Sequence, residues 1–145
     1  MKYLLDTDHL SVLQKSTGRD YEYLSARMAQ IPISDFGISI VTVHEQFLGS
    51  HTYISRTRTI RDLVKGYEFM TRLVGNIKTI PVAPFDDSAS MLFDNFQSQG
   101  VKVATMDLRI AAIACSRRLI LLTRNHRDFV KVPGLNIEDW TQEIC

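Results

Sequence analysis

The sequence predicts an α/β fold in which a central, mostly parallel β-sheet is flanked by helices. Three observations support this prediction. Short apolar runs alternate along the chain with longer stretches whose apolar residues recur at helical spacing. The run Tyr3–Leu5 and the run over residues 119–123 are almost wholly apolar, which is typical of strands buried on both faces of a parallel sheet. The first of these runs ends directly at an acid, Asp6, and the carboxyl ends of parallel strands are where ligands bind in such sheets.

Size and composition limit the other possibilities. A chain of 145 residues fits one domain, residues 1–145, and can bury a sizeable core. The 45% hydrophobic and 23% charged residues match an ordinary globular protein rather than a disordered or membrane-spanning one. A net charge of +1 neither requires nor excludes a nucleic-acid partner. Cys115 and Cys145 have no metal-ligand spacing and do not suggest a disulfide framework, so we expect a cytoplasmic protein without a membrane anchor.

The first third of the chain predicts a strand, two helices and a second strand. After Tyr3–Leu5, Asp8 is placed to cap a helix with apolar residues at helical spacing. The same spacing recurs over residues 21–31, which predicts the second helix. Residues 36–41 are short and rich in β-branched side chains, which indicates a strand.

A long helical region follows this second strand. Thr42 and Glu45 fit the Thr-x-x-Glu capping box, in which the glutamate reaches back to the amide of the threonine. Residues 49–59 are polar and predict a loop or a frayed helix. Residues 60–74 form a strongly amphipathic pattern that should end near Gly75.

The remaining elements continue the alternation of strands and helices. They are a third strand over residues 78–82, a helix capped by Asp86 or Asp87, an alanine-rich helix opened by Asp107, a buried strand over 119–123 and a last edge strand over 135–137.

Five polar residues share one position in this pattern, because each follows a strand or lies at the start of the next helix. They are Asp6, Glu45, Asp107, Asn125 and Asp128. In a parallel sheet these positions converge, and clustered carboxylates repel one another unless a cation compensates. Oxygen ligands without neighbouring Cys or paired His favour Mg²⁺ or Mn²⁺ over Zn²⁺. Such an ion suits hydrolysis of a nucleic-acid backbone. The capping box remains an alternative explanation for Glu45.

Four blocks of the sequence resemble the PIN-domain ribonucleases, specifically the VapC-type toxins of type II toxin–antitoxin pairs. The blocks cover nearly the whole chain in the family's order. They are Leu4-Leu5-Asp6-Thr7-Asp8, residues 39–49 ending in Glu45 and Gly49, Asp107 followed by Ile110-Ala111-Ala112, and Leu122-Thr123-Arg124-Asn125 with residues 128–140.

The resemblance implies a three-layer PIN-like fold and a Mg²⁺-dependent endoribonuclease, with Mn²⁺ as a possible substitute. It implies structured RNA such as tRNA or rRNA as substrate, a cognate VapB-like antitoxin and a homodimer. Apolar residues on the helices over 21–31 and 60–74 are candidates for part of either protein interface. Asp6, Glu45 and Asp107 carry over as acidic metal-site residues.

The chain departs from the family where many members have a fourth acid directly after Thr-Arg. This chain has Asn125 there, with Asp128 three residues later. An Asn side chain offers a neutral oxygen and cannot supply the charge that helps hold a second divalent ion. We therefore predict one tightly held ion on Asp6 and Asp107, with Glu45 close by and a weaker second ion.

Two alternatives from other classes remain open at this point. Asp6-Thr7-Asp8 is an Asp-x-Asp at a strand end, as a haloacid-dehalogenase-like phosphatase requires, although Leu10 departs from that motif and the chain is short for that fold with its cap. The other alternative is a non-catalytic PIN-like module that only binds RNA or a protein.

Overall fold

The computed structural model describes residues 1–143, and Cys145 lies outside them. The described chain forms five strands and seven α-helices, with a short 3₁₀ turn (Ile33–Asp35) before the second strand. The strands are β1 (Tyr3–Leu5), β2 (Phe36–Ser39), β3 (Val82–Ala83), β4 (Ile120–Leu122) and β5 (Asn136–Glu138). The helices are α1 (Thr7–Lys15), α2 (Arg19–Met28), α3 (Ile40–Arg56), α4 (Ile60–Thr79), α5 (Asp87–Ser98), α6 (Thr105–Ser116) and α7 (His126–Phe129).

The strands form one sheet in the order β3-β2-β1-β4-β5, and every neighbouring pair in the described residues is parallel. The first strand of the sequence therefore lies at the centre of the sheet. Leu5 on β1 is in register with Ile38 on β2 and with Leu122 on β4. Because these strands end at nearly the same level, the residues that follow them meet at one edge, which we call the active edge.

Helices cover both faces of the sheet, which gives the three layers that the sequence predicts. Side chains alternate along β1 and β4, so Leu4 and Leu121 enter one core while Leu5 and Leu122 enter the other. On the first face α6 packs closely, since all of residues 110–114 are fully buried. On the second face α1 and α2 supply further buried leucines. Burial of each such leucine stabilises the fold by about 1.5–3 kcal/mol.

The starts of α1 and α3 differ from the sequence prediction. Ser39 caps α3, because its Oγ accepts a hydrogen bond from the Thr42 amide at 2.9 Å. The predicted Thr42–Glu45 capping box is therefore wrong, and β2 ends at Ser39, two residues before the predicted strand end at residue 41. At α1 the cap is Asp6 rather than the predicted Asp8, since Asp6 Oδ1 accepts from the Thr7 amide at 2.8 Å.

Of the two alternatives predicted for residues 49–59, the loop is wrong and the helix is correct as far as Arg56, where α3 ends. Packing against α4 stabilises this stretch despite its polar composition. Ser50 is buried, and Gly66 on α4 lies so close to α3 that a Cβ there would meet Ile54 Cγ1 at 2.6 Å. Contact between the two helices thus overrides the weak local preference for a helix.

Helix α4 runs past Gly75 to Thr79, so the predicted third strand over 78–82 shrinks to Val82–Ala83. The extra turn is held by burial, since Ile77 and Ile80 pack against the second core. The helix ends where Pro81 follows, because the proline ring disfavours helical geometry at the preceding residue. Ile80 is accordingly extended, with φ −112° and ψ 126°.

Cys115 lies on α6 as a partly buried free thiol, and burial raises its pKa to about 11. A thiol with so high a pKa carries little thiolate and is a poor nucleophile. None of the helices within residues 1–143 combines the length and apolar character needed to cross a lipid bilayer.

Candidate active site

Asp6 is the centre of the active edge, and two elements hold its carboxylate. Oδ1 caps α1 through the Thr7 amide, while Oδ2 accepts a hydrogen bond from Thr123 Oγ1 at 2.8 Å. Thr123 directly follows β4, whose residues pair with β1 in parallel register. The side chain of Asp6 is buried, with only 6% of the residue exposed.

The pKa of Asp6 is raised from 3.8 to about 7. Burial is the main cause of this rise, and the negative charge of Asp8 is the second. The hydrogen bonds from Thr123 and Thr7 oppose this rise, whereas the charge of Asp107 adds to it. A carboxylate in such surroundings is costly to ionise, and a bound cation would offset that cost.

Asp8 belongs to the same edge, although the sequence predicts for it only a helix cap or, in the phosphatase alternative, the second acid of an Asp-x-Asp motif. Its Oδ2 accepts hydrogen bonds from the Arg124 amide at 3.0 Å and from Thr123 Oγ1 at 3.3 Å. Its Oδ1 lies 2.7 Å from His9 Nδ1. Burial raises the pKa of Asp8, but the bonds from His9, the Arg124 amide and Thr123 outweigh burial and hold that pKa below its ordinary value.

Asp107 and Glu45 reach the edge from α6 and α3. Burial raises the pKa of Asp107, and the charges of Glu45, Asp128 and Asp8 raise it further in that order. The carboxylates of Glu45, Asp128 and Asp8 are therefore close enough for their charges to repel the charge of Asp107. Glu45 Oε1 accepts a hydrogen bond from Thr7 Oγ1 at 3.1 Å, so the glutamate is held by α1 and does not cap α3.

Asn125 and Asp128 lie together at the start of α7. Asn125 is the N-cap of this helix: its Oδ1 faces the Asp128 amide at 3.4 Å, and its Nδ2 donates to Asp128 Oδ2 at 3.1 Å. The Asn125 side chain therefore orients Asp128 toward the edge. Asp128 supplies the charge that Asn125 lacks, as its effect on the pKa of Asp107 shows.

The donors at the edge are oxygen atoms, which suit a hard divalent cation. Within residues 1–143 no Lys or Arg nitrogen lies within 4.0 Å of the carboxylates of Asp6, Glu45 or Asp107, so no basic side chain neutralises them at contact distance. The described side chains also do not bring three Asp, Glu, His or Cys groups together as a ready-made metal cage. Mg²⁺ is commonly held by one or two carboxylates together with water and substrate phosphates, so this donor set fits Mg²⁺ or Mn²⁺ better than Zn²⁺.

Two curated relatives are similar to this chain over almost their whole length, although no protein-family model matches it. The tRNA(fMet)-specific endonuclease VapC of Salmonella typhimurium is 27% identical over 144 residues, which cover 97% of this chain and 98% of the relative. Ribonuclease VapC2 of Haemophilus influenzae is 29% identical over 144 residues, with the same 97% and 98% coverage.

A toxin–antitoxin complex from Klebsiella pneumoniae contains a chain of the same fold. The two chains superpose with a TM-score of 0.67 at 25% identity, over 99% of this chain and 100% of that chain. This chain is similar in sequence and in fold to VapC-type PIN-domain proteins. The VapC-type resemblance and the three-layer PIN-like fold inferred from the sequence are thereby confirmed.

The chemical roles of five residues stay predictions, although the structure brings their side chains to one edge. They are Asp6, Glu45, Asp107, Asn125 and Asp128. The side chains that hold these acids in place were not predicted to do so. They are Thr7, Asp8, His9 and Thr123. The signals available in the sequence were the second acid two residues after the first and the hydroxyl directly after the buried strand.

Proposed function

We propose that this VapC-type protein is a toxin endoribonuclease that hydrolyses phosphodiester bonds in structured RNA with Mg²⁺, for which Mn²⁺ can substitute. The observation that carries the proposal is the group of carboxylates at the active edge, with no basic partner in contact with Asp6, Glu45 or Asp107 within the described residues. The curated relatives are named ribonucleases or endonucleases, which supports the same chemistry.

In this proposal Asp6 and Asp107 hold the ion and Glu45 acts through a bound water. The ion, when bound, lowers the pKa of a water molecule and neutralises charge on the phosphate under attack. Thr123 keeps Asp6 in place, and Thr7 does the same for Glu45. Asp128 lies at the end of the edge where it can orient water, and Asn125 restrains its rotation.

Transfer RNA is the substrate class that we propose, with ribosomal RNA as the second. Two curated relatives, from Salmonella typhimurium and Shigella flexneri, are named tRNA(fMet)-specific endonucleases. The basic residues of α3, of α4 and of the loop between them offer contacts to a phosphate backbone. They are Arg56, Arg58, Arg61, Lys65 and Arg72.

We propose a VapB-like antitoxin as the protein partner, since solved structures of similar chains are toxin–antitoxin complexes. A groove of about 940 Å³ between α1, α3 and α4 reaches Thr7 and Glu45 at the active edge. Phe69 and Leu73 line this groove with apolar side chains, and Arg72 adds a positive charge to its lining. An apolar, acidic segment bound there would cover the approach to the edge.

The decisive experiment is cleavage of purified tRNA by the wild type and by Asp6→Asn, Glu45→Gln and Asp107→Asn, each with Mg²⁺ and with EDTA. We expect each substitution to lower the cleavage rate by about a hundredfold or more, because it removes charge while keeping shape. Asp94→Asn is the matched control, since Asp94 is an exposed acid on α5.

Full cleavage in EDTA would exclude the metal mechanism. An unchanged rate in one variant would remove that residue from the site. Tight RNA binding without cleavage by the wild type would instead favour the non-catalytic module, for which the lack of a ready-made cage within residues 1–143 is the one favourable observation. A trapped phospho-aspartate on Asp6 would favour the phosphatase.

A further inference from the structure

We propose that His9 is a positioning residue, which fixes Asp8 and through it the turn that carries Thr123 against Asp6. This inference rests on the proposed function, because it assigns His9 a part in holding the nuclease site. Its starting point is burial, since the side chain of His9 is 0% exposed although it lies only one residue from an acid of the active edge.

The contacts of His9 determine where its ring proton lies. Nε2 is 3.1 Å from the backbone amide of Trp140, which can only donate, so Nε2 is the acceptor. The ring hydrogen is therefore on Nδ1, which donates to Asp8 Oδ1 at 2.7 Å. Asp139 Oδ1 lies 3.6 Å from Nε2 and already accepts hydrogen bonds from the amide and the hydroxyl of Thr141.

The chain of contacts continues from Asp8 to the centre of the site. Asp8 Oδ2 accepts from the Arg124 amide at 3.0 Å, which fixes the backbone directly after Thr123. The Thr123 hydroxyl accepts from the Asn125 amide at 3.0 Å and donates to Asp6 Oδ2 at 2.8 Å. The segment after β5 is thus linked to the central carboxylate through α1 and the end of β4.

A purely structural role is the competing explanation, in which His9 serves only to attach the Trp140 segment to α1. The two roles use different ring nitrogens, so two substitutions separate them. In His9→Asn the amide nitrogen takes the place of Nδ1 and keeps the donor to Asp8, but the Trp140 amide loses its acceptor. In His9→Gln the longer side chain reaches the place of Nε2 and keeps an acceptor for Trp140, but Asp8 loses its donor.

If His9 positions Asp8, His9→Gln should lower the tRNA cleavage rate by about tenfold to a hundredfold, as is usual for residues that support metal ligands. His9→Asn should recover most of that rate even where it unfolds at lower urea concentration. His51→Asn and His51→Gln are matched controls, because His51 is an exposed histidine of α3, and neither should change the rate. Equal rates in the two His9 variants, or losses that simply follow their stabilities, would overturn the inference.

A second measurement does not depend on activity. In metal-free protein, nitrogen-15 spectra should show the Nδ1–H form of His9, and the Arg124 amide signal should move in His9→Gln but stay near its wild-type position in His9→Asn. A proton on Nε2, or an Arg124 signal unaffected by His9→Gln, would overturn the inference. If the wild type fails to cleave RNA while these spectra agree, the proposed function fails and the positioning contact stands.

Discussion

Asp6 has two opposite effects on the stability of the fold. It caps α1, but burial raises its pKa from 3.8 to about 7 because the ionised form is poorly solvated. The folded state thus binds the proton more tightly than the unfolded state, where the pKa is near 3.8. The stability that comes from this proton is complete below about pH 4 and is lost as the pH rises through 7.

Replacing Asp6 by Asn should therefore stabilise the metal-free protein at alkaline pH. Asn keeps an acceptor for the Thr7 amide but carries no charge to desolvate. We expect the variant's advantage in the free energy of unfolding to grow by about 2 kcal/mol between pH 5 and pH 8. Urea unfolding in EDTA at both pH values measures it. An advantage that does not change with pH would show that the Asp6 carboxylate is solvated. Adding Mg²⁺ should stabilise the wild type more than the variant.

Asn125 offers a second test at the scale of one residue. Asn125→Asp keeps a cap for α7 but replaces the Nδ2 donor to Asp128 with a second negative charge. We expect weaker stability without metal and tighter Mn²⁺ binding, measured by calorimetry. Asp128→Asn should lower cleavage less than Asp107→Asn. Unchanged Mn²⁺ affinity in Asn125→Asp, or two equally tight sites in the wild type, would contradict this placement of the fourth ligand.

At the scale of elements, the contact between α3 and α4 depends on Gly66. Ala normally stabilises a helix interior by about 1 kcal/mol relative to Gly. At Gly66, however, the new methyl group would meet Ile54 Cγ1 at 2.6 Å and Tyr53 Cδ1 at 3.0 Å. Overpacking of this kind costs about 1–3 kcal/mol, so Gly66→Ala should destabilise the protein.

Gly75→Ala is the matched control in the same helix, because among residues 1–143 its added Cβ would meet no heavy atom within 4 Å apart from the adjoining residues and backbone of α4. We expect it to stabilise the protein by about 0.5–1 kcal/mol. Thermal or urea unfolding of both variants measures the difference. A stabilising Gly66→Ala would mean that the two helices separate easily.

The strand positions were predictable because they are short apolar runs between polar residues, and Leu4, Leu5, Leu121 and Leu122 are buried as those runs require. The helix boundaries were less predictable. The continuation of α3 depends on α4, and the choice of Ser39 as cap depends on where the sheet pairing of β2 stops. Neither the end of α3 nor its cap can be predicted from the spacing of nearby residues, because both depend on contacts between elements.

At the scale of the whole molecule, parallel register explains why Asp6 and Glu45 could be grouped from the sequence, because Asp6 follows β1 and Glu45 lies on the helix that follows β2. Asp107 differs, since it opens α6, which follows α5 and not a strand. His9 could not be found this way. Its role depends on Trp140, 131 residues later, whose backbone amide carries no signal in the sequence.

The exposed apolar face of α4 predicts self-association. Ile60, Val64 and Tyr67 recur at helical spacing and are at least half exposed, whereas Tyr21 and Met28 of α2 pack against the core. We expect a dimer in sedimentation at tens of micromolar. Val64→Asp should weaken it, while Asn95→Asp, at an exposed position on α5, should change it little. A strictly monomeric wild type would contradict the homodimer.

The central place of β1 has a consequence for synthesis on the ribosome. Asp6 is made 117 residues before its hydroxyl partner Thr123. At roughly 5–20 residues per second, about 6 to 23 seconds separate the two. Throughout that interval the nascent chain lacks β4, α7 and the Trp140 segment. Under the proposed function, the nascent chain would thus be unable to cleave RNA until Thr123 and the elements after it have been made.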